Sequence, residues 1–385
     1  MKRFRTYAVI LGFGAVLLMP WGLKKVSGRF GLSGVTVQTQ FPVLTRAGLM
    51  DGSVQEDIGE YFSQHLPGRD LMIKVRNQMI FSLFQKSPNE NIVIGENDNL
   101  YEKEYVLKYE KVYEPVSEEY ARQLCDQLTA IQEKLEAAGK EMYVFITPTK
   151  VRYYEEDVPQ RYRASAVYPD SPGNYEMFTE VLKDYDLKVY DSIPYADEFA
   201  RTQPYPLYYK TGSHWSWPLS KSVTADFAAF LDENSRFDFA QGTVEVKPSP
   251  VPIFPDTDIF DSLNLFTKPY DTYYEAQYIC EQGDGPKPNL FCRGGSFMGQ
   301  TIASMIRDGY FDHDMYVENT VYYQDHFTSG GSFSDYGELN LAQAIGQADI
   351  VIFEVNEAHV PVMGFGLYDY LLEHPEIFEQ TGGDE

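Results

Sequence analysis

The sequence predicts an α/β sandwich built on a largely parallel sheet. Three observations carry that prediction. Short apolar runs of strand length recur ("EMYVFIT", "PNLFC", "ADIVIFEVN"), amphipathic helical stretches sit beside them in alternation, and 385 residues with 43% hydrophobic content are enough to bury a sizeable core.

The elements follow in order. The N-terminus, "MKRFRTYAVILGFGAVLLMPWGLKKV", sets Lys2, Arg3 and Arg5 before an apolar run from Tyr7 to Leu23. That length is at the short end of the roughly 17 to 25 residues that span a bilayer, and no small-x-small cleavage site follows, so residues 1–25 read as a retained signal anchor helix. The leading cations favour an N-inside orientation, which puts the chain from about Val26 onward outside the cytoplasm as the main part of a single-pass membrane protein. Residues 26–54 have no clean period and read as a juxtamembrane linker, and residues 55–385 read as the globular domain. Its first part, 55–110, comprises two helices split at Pro67 and Gly68 and a hairpin in "NIVIGENDNLYE". A helix over Ser117 to Ala138 is marked by Leu124, Leu128, Ile131 and Leu135, with Gly139 as its stop, and the buried strand "EMYVFIT" follows at once. The same succession recurs in "YEMFTEVLKDYD" before "LKVYDS" and in "ELNLAQAIGQ" before "ADIVIFEVN". A further helix is expected over Pro218 to Asp232, and another after "PNLFC".

Charge and cysteine count narrow the partners. With 32 basic against 57 acidic residues the formal charge is −25, which repels phosphate backbones and makes nucleic acid an unfavourable partner. Three cysteines, Cys125, Cys280 and Cys292, make no disulfide framework; Cys280 and Cys292 stand close enough in sequence to pair, and unpaired burial explains them equally well. No metal-ligand cluster or cofactor motif is present in the pattern.

Chemistry in a parallel sheet collects in loops at the carboxyl ends of strands. "PNLFCRGGSFMGQTIAS" has that form: apolar strand, Gly294 and Gly295 to permit a tight turn, Ser296, then a helix whose first N–H groups face an oxyanion. Ser296 is the candidate nucleophile, and on this loop alone a plain helix-capping role explains it equally well. Its base must come from six histidines. His65, His313, His326 and His374 sit at a helix break, in "DHD", near a strand end and near the tail, positions that suit surface or structural roles. His359 follows a strand end. His214 in "YYKTGSHWSWPLSKS" is the strongest choice, with Lys210 and Thr211 before it and Trp215 and Trp217 beside it; Lys210, Trp215 and Trp217 are taken as substrate-binding candidates.

"YYKTGSHWS", the "RGGSF" loop and "ADIVIFEVNE", in that order, resemble the SGNH-hydrolase-like domain of the alginate O-acetyltransferase AlgX/AlgJ family. "NIVIGENDNLYE" and "VFITPTKVRYYEEDVP" resemble further segments of it, so the similarity runs from about Gln55 to Leu371. The resemblance implies an SGNH-hydrolase-like three-layer sandwich, with Ser296 as nucleophile and His214 as general base. The family's D-x-H-W pattern has an aspartate two residues before the histidine, where this chain has Gly212. Three explanations stand: His214 is oriented by a backbone carbonyl; a carboxylate from elsewhere replaces the aspartate, with Glu354 and Glu357 as candidates; or the site is inactive.

The implied activity is acetyl transfer to an exopolysaccharide or cell-wall polysaccharide through a Ser-His acetyl-enzyme, the acetyl group being supplied by a membrane-bound O-acyltransferase. The alternatives are an inactive polysaccharide-binding or scaffold protein on the same fold, suggested by Gly212, and an acetylesterase using the same residues.

Overall fold

A computed structural model describes residues 7, 10–15, 22, 30–34, 39–267, 271–280, 285–319, 322–325 and 329–379. The expected anchor, Tyr7 to Leu23, and His326 fall largely or wholly outside them. Among the described residues no helix is long and apolar enough to cross a membrane.

The chain divides into two units, 1–92 with 259–269, and 93–258 with 270–385. The first holds helices α1 (Arg46–Asp51), α2 (Ser53–His65) and α3 (Arg69–Phe84). The break between α2 and α3 falls at Pro67 and Gly68 as the sequence predicts, and Gly68 has φ 77, a backbone that favours glycine. In the same unit Asn77 donates its side-chain N–H to the Leu263 carbonyl at 2.9 Å.

The larger unit is the sandwich. The predicted hairpin is present as β1 (Ile92–Ile94) and β2 (Leu100–Glu102), followed by α4 (Lys103–Tyr109). Helix α5 (Glu118–Ala137) starts where Ser117 Oγ accepts the Tyr120 N–H at 3.1 Å, and it buries Leu124, Leu128, Ile131 and Leu135 on one face. Then come β3 (Glu141–Thr147), α6 (Lys150–Tyr153), α7 (Gln160–Arg163), α8 (Asn174–Leu182), β4 (Val189–Asp191), α9 (Ser192–Thr202) and α10 (Trp217–Asn234). A β-ribbon, β5 (Gly242–Ser249) with β6 (Tyr273–Cys280), flanks the short α11 (Asp258–Ser262) in sequence. The remaining elements are β7 (Leu290–Gly294), α12 (Ser296–Arg307), β8 (Asp314–Glu318), β9 (Tyr322–Asp325), β10 (Ser329–Ser332), α13 (Leu341–Gln347), β11 (Ile350–Asn356), α14 (Leu367–Glu373) and α15 (Glu376–Glu379).

The main sheet has seven strands in the order β10-β9-β8-β7-β11-β3-β4. From β8 to β4 all neighbours are parallel, and β9 and β10 add an antiparallel edge. Side chains alternate faces along a strand, and the strands are apolar on both. Met142, Val144 and Ile146 of β3 and Val351, Phe353 and Val355 of β11 pack with α5, α8, α13 and α14. Tyr143 and Phe145 of β3, with Ile350 and Ile352 of β11, pack on the other face with α9, α10 and α12. The result is three layers with a core on each side of the sheet, and truncating a buried ring such as Phe145 should cost about 3 to 5 kcal/mol. Cys125 and Cys292 are buried, and among the described residues no disulfide joins Cys280 to Cys292.

Candidate active site

Parallel pairing brings the carboxyl ends of β8, β7, β11 and β3 to one edge of the sandwich, and the chemistry lies there. Ser296 is the first residue of α12, two residues beyond the end of β7. The backbone before it is pinned from two sides. Gly295 donates its N–H to Glu354 Oε2 at 2.6 Å, and its carbonyl accepts the Tyr316 hydroxyl at 2.5 Å. Gly295 is extended, with φ −98 and ψ −178, so the tight turn expected of the two glycines is not a left-handed one. Space, not conformation, explains Gly294: a Cβ there would stand 2.8 Å from the Met298 Cβ and 3.1 Å from the Glu354 Cβ.

His214 reaches Ser296 from a separate loop. Its Nε2 lies 2.6 Å from Ser296 Oγ, and its ring stacks on Phe297 at a centroid separation of 5.0 Å. The loop is closed by a bridge between Tyr208 and Trp215, and by Ser216, which accepts the Leu219 N–H at the start of α10. Beneath it runs a cation. The fully buried Lys150 Nζ donates to the carbonyls of Leu100 (2.8 Å), Tyr209 (2.7 Å), Lys210 (3.0 Å) and Gly212 (3.0 Å), which ties the histidine loop to β2. Burial pulls this ammonium down to about 7, against the attraction of Asp258, Asp271 and Asp157.

The acid at the histidine is Asp258, at the start of α11: its Oδ2 lies 2.8 Å from His214 Nδ1. Asp258 Oδ1 accepts the Ser213 N–H at 2.9 Å, and Ser213 Oγ donates to Glu102 Oε1 at 2.7 Å. This corrects the expectation for Glu354 and Glu357. Glu354 is spent on the Gly295 N–H and the Thr147 hydroxyl. Glu357 holds the N–H and hydroxyl of Thr149, each at 2.6 Å, and Arg152 Nε at 2.6 Å. Both are buried carboxyls that desolvation pushes up, and neither orients His214.

Of the three residues expected to bind substrate, Trp215 needs correction. Trp215 is 1% exposed and packs edge-on against Phe297, so it supports the site from within. Trp217 opens α10 with the Lys221 ammonium 5.7 Å from its ring centroid. Lys210 has an exposed side chain, while its backbone carbonyl accepts from Lys150 and from the Leu100 N–H. His359 is pushed down to about 4 by burial and sits edge-on to Tyr105 at 5.4 Å, a neutral packing residue. Glu102 and Glu318 are raised by burial, and the nearby His214 pulls each partly back, so the imidazole works beside carboxyl groups in addition to Asp258. Among the described residues no cluster of side chains fits a metal ion. Sequence reasoning missed Asp258, Glu102 and Lys150. Gly212 was the one signal that an acid must arrive from elsewhere, and nothing in "DTDIFDS" shows that it arrives from there.

Asp258, His214 and Ser296 form a hydrogen-bonded serine-histidine-aspartate relay, an arrangement chemically able to transfer an acyl group. In it the imidazole can take the hydroxyl proton, while the first N–H groups of α12, which precede the first intrahelical bond from the Gly299 N–H to the Gly295 carbonyl, face a developing oxyanion. Residues 92–248 match the family model described as "SGNH hydrolase-like domain, acetyltransferase AlgX", and over that stretch the resemblance read from the sequence holds. Among solved structures, the O-acetyltransferase domain of Pseudomonas putida AlgJ is similar at 14% identity with a TM-score of 0.47, covering 74% of this chain and 98% of its own. Pseudomonas aeruginosa AlgX is similar at 16% identity with a TM-score of 0.47, covering 75% and 67%. Bacillus cereus PatB1 is similar at 10% identity with a TM-score of 0.44, covering 71% and 97%. No curated relative matches the sequence.

Proposed function

We propose that the protein is an O-acetyltransferase that acts outside the cytoplasm on a polysaccharide through an acetyl-enzyme at Ser296. The observation that carries this reading is the continuous relay from Asp258 Oδ2 to His214 Nδ1, 2.8 Å, and from His214 Nε2 to Ser296 Oγ, 2.6 Å. It counts against an inactive scaffold as far as that reading rested on Gly212, since Asp258 supplies a carboxylate to His214. The family model over residues 92–248 is that of an acetyltransferase domain, which supports acetyl as the group transferred.

In the first half-reaction Ser296 Oγ attacks the acetyl carbonyl carbon while its proton passes to His214 Nε2, and the imidazolium is stabilised by Asp258. Collapse of the tetrahedral intermediate expels the donor's leaving group, which takes the proton from His214. In the second half-reaction an acceptor hydroxyl gives its proton to His214 and attacks the acetyl-enzyme, and Ser296 leaves with the proton returned. The N–H groups at the start of α12 meet the oxyanion in both. A membrane-bound O-acyltransferase as donor partner, and anchoring through the N-terminal apolar run, belong to the same proposal.

The test is a chromogenic acetyl ester offered to the full chain, with Ser296→Ala and His214→Ala alongside. The expected result is an acetylation burst in the wild type, with turnover lost by several orders of magnitude in both variants at unchanged circular dichroism. Equal rates in wild type and variants would sink the mechanism. Product analysis with an added oligosaccharide separates transfer from simple ester hydrolysis.

A further inference from the structure

A cavity of about 470 Å³ opens at the carboxyl ends of β11, which adjoins β7 in the sheet, and of β3 beyond it; Ser296 follows β7 at the start of α12. Tyr105, Tyr109, Glu110, Arg152, Tyr175 and Glu357 are among the residues that line it. The volume lies within the roughly 300 to 1,000 Å³ typical of small-ligand sites. Strand β11 links this cavity to the relay: Glu357, just past its end, lines the wall, and Glu354 within it accepts the Gly295 N–H beside Ser296 at 2.6 Å.

The walls have the chemistry that meets a sugar. Arg152 lies with its guanidinium carbon 4.6 Å from the Tyr175 ring centroid and 5.9 Å from that of Tyr109, an aromatic and planar-polar surface of the kind on which a pyranose face stacks. Its charge is already met, by Glu357 at 2.6 Å and Glu176 at 3.0 Å. Lys108 is likewise paired, with Glu104 at 2.6 Å, whereas Lys111 reaches only the neutral Pro169 carbonyl at 3.4 Å and keeps its charge. Glu110, only 9% exposed, has an Oε1 with no hydrogen-bond partner among the described residues, which suits a hydroxyl donor from a ligand. With Arg152 and Lys108 committed to carboxylates, an acidic sugar would find only Lys111 set against Glu155, Glu176 and Glu357 in this lining, on a chain whose formal charge is −25.

We propose that this cavity is a subsite for the acceptor glycan, and that it takes an uncharged saccharide in preference to a polyuronate; the proposal rests on the acetyl-transfer reading above. The relay acetylates a hydroxyl at Ser296 while a neighbouring part of the same glycan is held between Tyr109, Glu110 and Tyr175.

Binding to the full chain in mild detergent is measured by calorimetry, with cellohexaose, mannohexaose and chitohexaose as neutral probes and hexamannuronate as the acidic one. At least one neutral probe is expected to bind tenfold or more tighter than hexamannuronate. Tyr109→Ala and Glu110→Leu should each weaken that binding at least tenfold, with folding verified by melting temperature; Glu110→Leu decides the matter where Tyr109→Ala fails to fold. Failure of all three neutral probes to bind, hexamannuronate binding as tightly, or binding that survives both substitutions overturns the subsite. An acetylation burst read on the same wild-type sample separates the two ideas. A burst without saccharide binding leaves the acyl-transfer reading standing and removes the subsite. Saccharide binding at this cavity without a burst removes the acyl-transfer reading and leaves a glycan-binding site.

Discussion

The Asp256 carbonyl and the Asp258 carboxylate together fill the space that a side chain at Gly212 would need. A Cβ on Gly212 would stand 3.2 Å from Asp258 Oδ1 and 2.7 Å from the Asp256 carbonyl oxygen, while Asp258 Oδ2 is bonded to His214 Nδ1 at 2.8 Å. The acid of the relay thus comes from a segment 44 positions from the histidine, and Gly212 leaves room for that segment to approach.

The role of Asp258 is tested by Asp258→Asn. An amide in that position no longer stabilises the imidazolium and no longer fixes which nitrogen faces Ser296, so kcat for acetyl ester turnover should fall by about 10³- to 10⁴-fold with KM little changed. Steady-state kinetics on folded protein measure this directly, and a loss below tenfold would remove Asp258 from the mechanism.

Gly212→Ala should damage the site without touching any reacting group. The added Cβ meets a backbone oxygen, so the loop that carries His214 must shift, and a displacement of about 1 Å costs on the order of 10²-fold in rate. The double variant Gly212→Asp with Asp258→Gly should not recover activity, because the Asp256 carbonyl still blocks the new side chain. Recovery to near wild-type kcat would show that the acid is interchangeable between the two positions.

Lys150→Met would leave the carbonyls of Leu100, Tyr209, Lys210 and Gly212 without their shared donor. The Lys210 and Tyr209 carbonyls keep the N–H groups of Leu100 and Gly212, but those of Leu100 and Gly212 lose this donor at about 1 to 3 kcal/mol for each buried acceptor left unpaired, partly recovered by water, so a clear fall in melting temperature is expected. Because these carbonyls position His214, kcat should also fall at temperatures where the variant is fully folded. An unchanged kcat there would reduce Lys150 to a stability residue.

Asp256 gives a pH dependence of definite sign. Burial raises its carboxyl from 3.8 to about 7, partly offset by the Ile253 N–H that it accepts, while Asp258 and Asp271 add to the rise. A raised acid favours the folded state most when protonated, so its contribution is full below the unfolded value and is lost as pH climbs toward about 7. Asp256→Asn should remove that loss, making the variant the more stable at pH 8 by of the order of 2 kcal/mol after solvent screening, with a smaller difference at pH 5. Denaturant melts at both pH values check it; a difference independent of pH would contradict the assignment.

Much of the fold was legible because its signals are local. The spacing of Leu124, Leu128, Ile131 and Leu135 marks the buried face of α5, and Ser117 and Gly139 bracket it in sequence as they do in space. "EMYVFIT" and "ADIVIFEVN" became adjacent parallel strands for the reason they were recognisable: each is apolar on both faces. Ser296 was legible from the strand, glycines and helix around it, and His214 from its aromatic flanks and the resemblance to the family. What the sequence by itself determined is therefore the alternating architecture and the serine and histidine that the fold brings within 2.6 Å of each other. Only the tertiary structure decided the acid, because Asp258 lies 44 positions from His214 and meets it through no periodic relation. The same holds for Glu354 and Glu357, which stand at the end of an active-site strand and yet are turned to Gly295, Thr147, Thr149 and Arg152. Chain order states which residues can belong to a site. Which carboxylate faces the imidazole depends on hydrogen-bond geometry at a distance of 2.8 Å, and that is set by the packing of loops far apart in sequence.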